Sequence, residues 1–254
     1  MTSYSWLPGE VFLLVLIFAR VGSAMLLLPG IAEMDVSPRI RLSLALLVVV
    51  VLRPGLSGAL PAMPGDFGGL LVLLVQEIAI GLCLGLVIRL FVSALQIAGT
   101  TIAMQTGLGF AQSLDPSQGI QGALVATFLA LLGSTLILMS DLHHLMLAAL
   151  HDCYVLFPVG APPPVADMTE LVRRTISATF ALGIAIAAPF LVFGLLFYVA
   201  MGLLSRLMPQ LHIFFLAMPL NILLSFAILS ALIGMLMTFY LGRFEEHVSQ
   251  FVAG

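Results

Sequence analysis

Long apolar runs separated by short joints rich in proline and glycine dominate this chain. Six runs stand out, at about residues 11–28, 40–52, 69–102, 123–150, 169–205 and 213–241. A helix of about 20 apolar residues spans a bilayer, so each run is predicted to be a membrane-compatible helix, the second a short one. The third and fifth exceed 30 residues; at about 1.5 Å per residue they would reach near 50 Å. Helices of that length either project well beyond a bilayer or are broken, and Pro189 removes a backbone donor inside the fifth. Pro29-Gly30 and Pro38 bracket the first joint, and Pro54, Pro61 and Pro64 fill the second. The stiffest joint is PVGAPPP at 158–164, which divides residues 1–165 from 168–254. The second part reads as one helical hairpin turning at about 207–211.

The stretch AMQTGLGFAQSLDP, 103–116, lies between the third and fourth runs. From Gly99 to Gly122 the only ionisable residue is Asp115, and Gly99, Gly107, Gly109, Gly119 and Gly122 interrupt the apolar pattern. Non-helical backbone at membrane depth is tolerated only where protein buries it or where it lines an aqueous path. The stretch is therefore either a pore constriction or an ordinary loop between two spans.

Composition fixes the broad class. Of 254 residues 61% are hydrophobic and only 8% charged, against about 25% charged in soluble domains. This is an all-α membrane protein, or one that buries its surface in a membrane complex. The nine basic residues are all arginine and form no polybasic run, which leaves no case for nucleic-acid binding. Threading six spans alternately puts Arg53, Arg173, Arg174 and Arg243 on one side and Arg39, Arg41 and Arg206 on the other. Loop charge therefore sets no orientation; either the span count is wrong or some segments do not rest in lipid. Glu10 precedes the first run and no basic leader is evident, so that run is expected to be a retained helix. Cys83 and Cys153 lack metal-type spacing and read as two small buried thiols.

Charges inside the apolar runs carry more information. Arg20, Glu77 and Arg89 each cost at least about 2.5–3.5 kcal/mol at mid-bilayer, so such residues face protein or water. Glu77, Gly81, Gly85 and Arg89 recur every four residues, with a G-x-x-x-G pair that admits a close neighbouring helix. The stripe is either an ion pathway or an inter-helix or inter-subunit seam. Glu77 and Arg89 lie too far apart to pair directly, and no chain of intramembrane carboxylates exists, which favours the seam. Asp141, His143, His144, His151 and Asp152 are close in sequence, but a zinc site needs three convergent ligands; they read as interfacial polar residues, with no metal. No G-x-S-x-G, H-E-x-x-H or phosphate-loop pattern is present, so neither enzyme chemistry nor a cofactor is expected.

Several motifs, in order along the chain, resemble those of the flagellar biosynthetic protein FliR family, whose injectisome counterparts are homologous. They are Arg20, Pro29 and Pro38-x-x-Arg41; Glu77-x-x-x-Gly81-x-x-x-Gly85; and Gly99 through Asp115-Pro116. Gly133, His143, Leu156-Phe157-Pro158-Val159-Gly160 and Ala188-Pro189 follow. The last block runs Gly202-Leu203-Leu204-x-Arg206-x-x-Pro209-Gln210-Leu211-x-Ile213-Phe214, then Pro219-Leu220. Ala217 departs from a frequent glycine.

The resemblance implies a fold like a fusion of FliP-like (about 1–165) and FliQ-like (about 168–254) parts. These would be built into a cone-shaped helical hetero-oligomer, much of it above the membrane plane. The implied partners are about five FliP-like and about four FliQ-like subunits, larger export-platform proteins, unfolded secreted substrates and membrane lipid. The implied role is a non-enzymatic subunit of the core export gate in the bacterial inner membrane, at the flagellar basal body or in a virulence-type injectisome. Met104, Gln105, Gly107, Leu108, Gly109 and Phe110 would form the pore plug, with Asp115 and Pro116 ending it. Arg20, Glu77, Gly81, Gly85 and Arg89 are expected in subunit packing, and Arg206, Pro209, Gln210 and Phe214 at the hairpin turn. The competing readings are a stand-alone solute transporter, which would need an inverted repeat and convergent mid-membrane polar residues, and an intramembrane enzyme. The residues show neither pattern.

Overall fold

A computed structural model describes residues 7–32, 37–56, 64–108, 124–208 and 213–252. Among them every regular element is an α-helix. In chain order these are α1 (Leu7–Met25), α2 (Pro38–Leu56), α3 (Phe67–Gln105), α4 (Leu124–Met139), α5 (Leu142–Leu156), α6 (Val165–Leu207) and α7 (Ile213–Ser249).

Local chemistry explains where several helices begin. Ser37 Oγ accepts from the Ile40 amide at 3.5 Å and Pro38 opens α2, a position where its missing N–H costs nothing. Asp66 caps α3 by accepting from the Gly69 amide at 2.8 Å. Within the apolar interiors several threonine hydroxyls fold back on carbonyls one turn earlier, as Thr101 to Ile97 at 2.8 Å and Thr135 to Leu131 at 2.8 Å, so these hydroxyls need no water.

The long runs form single helices. α3 has 39 residues, α6 has 43 and α7 has 37, and α6 continues through Pro189. By length and composition, α3, α6 and the Ala217–Ser249 part of α7 are able to cross a membrane. The run at 123–150, expected as one helix, is two: the chain turns by 77° between α4 and α5. Asp141 sits at that corner with φ 61°, a left-handed conformation that an asparagine or aspartate tolerates better than most. The third run also extends further than expected, with Met104 and Gln105 still helical.

The described chain forms two compact units. One lies within Met1–Phe91, Ile137–Ile176 and Glu245–Gly254, and its core includes Leu16, Ile17, Val21, Ile88, Leu150 and Val248. The other lies within Val92–Leu136 and Ser177–Phe244, around Leu95, Ala98, Leu129, Ile186, Phe190 and Tyr240. Each unit draws on both sides of the joint at 158–164. Large apolar side chains are exposed along α2 (Ile40, Leu47, Val50, Val51), α3 (Val72, Val75) and α6 (Val192, Leu195, Leu196, Leu203). Such continuous apolar surface is the mark of contact with lipid or with other subunits.

Candidate functional site

The charges singled out in the apolar runs meet inside the first unit. Arg20 on α1 has no exposed surface and Glu77 on α3 is 1% exposed. Arg20 Nε donates to Glu77 Oε2 at 2.7 Å and Nη2 to Oε1 at 3.0 Å, a two-pronged pair. Nη1 donates to the carbonyl oxygens of Phe157 at 2.8 Å and Cys153 at 3.3 Å. Those carbonyls end α5, where helix dipoles leave partial negative charge. The guanidinium also stacks 4.2 Å from the centre of the Tyr154 ring. A guanidinium carries five N–H donors in a fixed fork, and four of them find acceptors in this arrangement.

Close backbone approach makes the pair possible. A side chain at Gly81 would overlap Ser23 Oγ and the Arg20 carbonyl oxygen, and one at Gly85 would lie 2.7 Å from the Ala24 carbonyl oxygen. Arg20, Glu77, Gly81 and Gly85 thus join two helices of this chain. Arg89 is not part of the seam: it is exposed, with no ion-pair partner among the described residues. Each step of four residues drifts about 40° around an α-helix, so twelve residues carry Arg89 about 120° away from Glu77. Sequence reasoning missed Cys153, Tyr154 and Phe157, which complete the arginine's shell.

In the second unit the predicted plug begins where α3 ends. The Thr106 amide donates to Ile102 O at 2.9 Å and its hydroxyl to Ala103 O at 3.0 Å. Gly107 then turns out of the helix with φ 78°, a conformation open to glycine without cost. Met104 is 70% exposed while Thr106 is buried, and Gln105, Gly107 and Leu108 are half-buried. Asn221 Nδ2 on α7 donates to the Gln105 carbonyl oxygen at 3.1 Å. Gly109, Phe110, Asp115 and Pro116 lie outside the described residues. At the hairpin, Arg206 is exposed in the last turn of α6; Pro209, Gln210 and the side chain of Phe214 lie outside the described residues.

The α4–α5 corner gathers Asp141, His143 and His144, whose donor atoms lie within 4.8 Å of one another. Asp141 and His144 are exposed, and their nearest polar atoms are 3.8 Å apart. His151 is not in this group and instead pairs with Asp152 at 2.7 Å. The three donor atoms are close enough together to hold a metal ion, in a cluster whose Asp141 and His144 stand open to solvent. Cys83 and Cys153 are free thiols, half-buried and buried respectively.

Long apolar-surfaced helices, a sealed intramolecular ion pair and a glycine turn after a helix long enough to span a bilayer define a helical membrane protein. The sequence pattern of bacterial export proteins, family 1, matches residues 11–247. The chain belongs to that family. It is 41% identical over 237 residues to the flagellar biosynthetic protein FliR of Caulobacter vibrioides, covering 93% of this chain and 94% of that one. It is 28% identical to the FliR of Escherichia coli, over 95% and 90% of the two chains. The Shigella flexneri surface presentation of antigens protein SpaR is 27% identical, over 98% of each.

Proposed function

We propose that this chain is a subunit of the core export gate of a bacterial flagellar type III secretion system, passing unfolded proteins across the inner membrane. The observation that carries this reading is the near full-length match at 41% identity to a flagellar biosynthetic protein. The injectisome-type relative is more distant, at 27%, which favours flagellar over virulence use. In this reading the chain performs no catalysis. It assembles with about five FliP-like and about four FliQ-like subunits and with larger export-platform proteins, at the basal body and partly above the membrane plane. Residues 1–165 supply the FliP-like part and 168–254 the FliQ-like hairpin, whose turn at Arg206, Pro209, Gln210 and Phe214 contacts neighbouring subunits.

The stretch Met104, Gln105, Gly107, Leu108, Gly109 and Phe110 serves as the plug, ended by Asp115 and Pro116. The sharp glycine turn supports this: chain that leaves α3 abruptly is able to cross a lumen, and apolar side chains seal it by excluding water. Exposing one such side chain in an open pore costs on the order of 2 kcal/mol, small enough for a translocating chain to offset.

Purification after co-expression with neighbouring export genes tests the whole reading. The expected product is a hetero-oligomer of about ten subunits with one copy of this chain, impermeable to potassium in vesicles and leaky once residues 107–110 are deleted. A homo-oligomer without partners would overturn the gate reading, and a tight deletion variant would overturn the plug.

A further inference from the structure

The corner between α4 and α5 brings together three side chains that a continuous helix would hold apart. Asp141, His143 and His144 each offer a donor atom, and the three atoms lie within 4.8 Å of one another. In an unbroken helix residues i and i+2 do not face each other, so Asp141 and His143 would point to different sides. The 77° turn of the chain and the left-handed Asp141, with φ 61°, remove that separation. The spacing hides a convergence that the break in the helix supplies.

The polar atoms of the cluster are not used by the fold around them. Asp141 stands at the N-cap of α5, where an aspartate ordinarily accepts from an amide of the first turn, yet its carboxylate makes no capping bond. Main chain closes the corner instead, the His144 amide donating to the Asp141 carbonyl oxygen at 2.9 Å. His144 Nδ1 stands 3.8 Å from Asp141 Oδ1, too far for a hydrogen bond. His143 Nδ1 is buried and has no hydrogen-bond partner among the described residues. A ring nitrogen withdrawn from water carries a desolvation cost that only a partner recovers, and a bound cation is such a partner.

We propose that Asp141, His143 and His144 form a site for one divalent cation of the zinc class, which fixes the α4–α5 corner. Two imidazoles and one carboxylate suit Zn²⁺ and its transition-metal neighbours, whereas Mg²⁺ and Ca²⁺ take oxygen ligands. With zinc–ligand bonds of about 2.0–2.2 Å, neighbouring donors of a tetrahedral site stand about 3.3–3.6 Å apart. The 3.8 Å between Asp141 and His144 is close to that spacing, and both side chains are exposed and able to swing inwards. Water completes the fourth position. Because the three donors converge only where the helix is broken, the ion binds the bent form in preference to a straight one. Mass action then stabilises the corner.

Calorimetric titration with zinc chloride tests the site, using the metal-stripped full-length chain in detergent on a tag without histidine. The expected result is one equivalent bound at micromolar free zinc, undiminished by millimolar magnesium, with a rise in the thermal midpoint. Asp141→Asn and His144→Ala change exposed side chains, and asparagine tolerates the left-handed corner as aspartate does, so both variants are expected to fold. Each is expected to weaken zinc at least about tenfold, the lower end of the loss caused by removing even a supporting group. His151→Ala, which removes a histidine outside the cluster, is expected to bind as wild type does. Saturation only at millimolar zinc, wild-type affinity in either Asp141→Asn or His144→Ala, or an equal loss in His151→Ala would overturn the site. Tight binding with an unchanged thermal midpoint would overturn its role at the corner.

Discussion

Arg20 is the residue on which the first unit turns. A guanidinium without exposed surface has lost its hydration, and only its partners recover that cost: Glu77 in two prongs, the carbonyls closing α5, and the face of Tyr154. Removing one member of a buried ion pair strands the other, at about 3–5 kcal/mol, whereas replacing both by apolar residues is often close to neutral. Glu77→Ala is therefore expected to lower the thermal midpoint of the detergent-purified chain more than the double change Arg20→Met with Glu77→Leu. A single variant as stable as wild type would show that the pair contributes nothing. Half of this site was legible in the sequence, because a charge in an apolar run is conspicuous. The other half was not, because Arg20 draws on backbone carbonyls, which every residue carries and no side-chain pattern marks.

Between elements, the decisive fact is how close α1 and α3 run. At Gly81 the neighbouring atoms include a main-chain oxygen, which has no rotamer into which to retreat. Gly81→Ala is expected to force the helices apart and to reduce the yield of folded chain even without partners. Gly234→Ala, where a Cβ meets nothing within 4 Å, is expected to be neutral or to stabilise by up to about 1 kcal/mol through helix propensity. Equal yields of the two variants, by size-exclusion chromatography in detergent, would refute the seam. The helices themselves were readable from apolar run length and from proline and glycine joints. Their packing faces were not, since a helix that is apolar all round gives no periodic signal. The α4–α5 corner was hidden for another reason: Asp141 in a left-handed turn leaves the apolar composition on both sides unchanged. Arg89 leaves the α1–α3 contact because a spacing of four follows the helix surface only over a few turns.

For the molecule as a whole, family and class could be read from motifs in order along the chain, and the comparisons bear that out. The proposed partners, plug and hairpin-turn contacts would require surfaces that meet other chains, and no pattern within one chain specifies those.

The wiring of Arg20 also sets a timetable. Its acidic partner lies 57 residues later and its farthest carbonyl partner 137 residues later. At about 5–20 residues synthesised per second, Glu77 follows Arg20 by about 3–11 s and Phe157 by about 7–27 s. During that interval a lone arginine opposes transfer of an apolar helix into lipid by on the order of 3 kcal/mol, so α1 has reason to wait for α3 before it leaves water. A nascent fragment of residues 1–65 is expected to wash from membranes at alkaline pH more readily than its Arg20→Leu counterpart. The difference should vanish in fragments of residues 1–105, which contain Glu77. A difference that persists in the longer fragments would mean that the two helices insert independently and meet only afterwards.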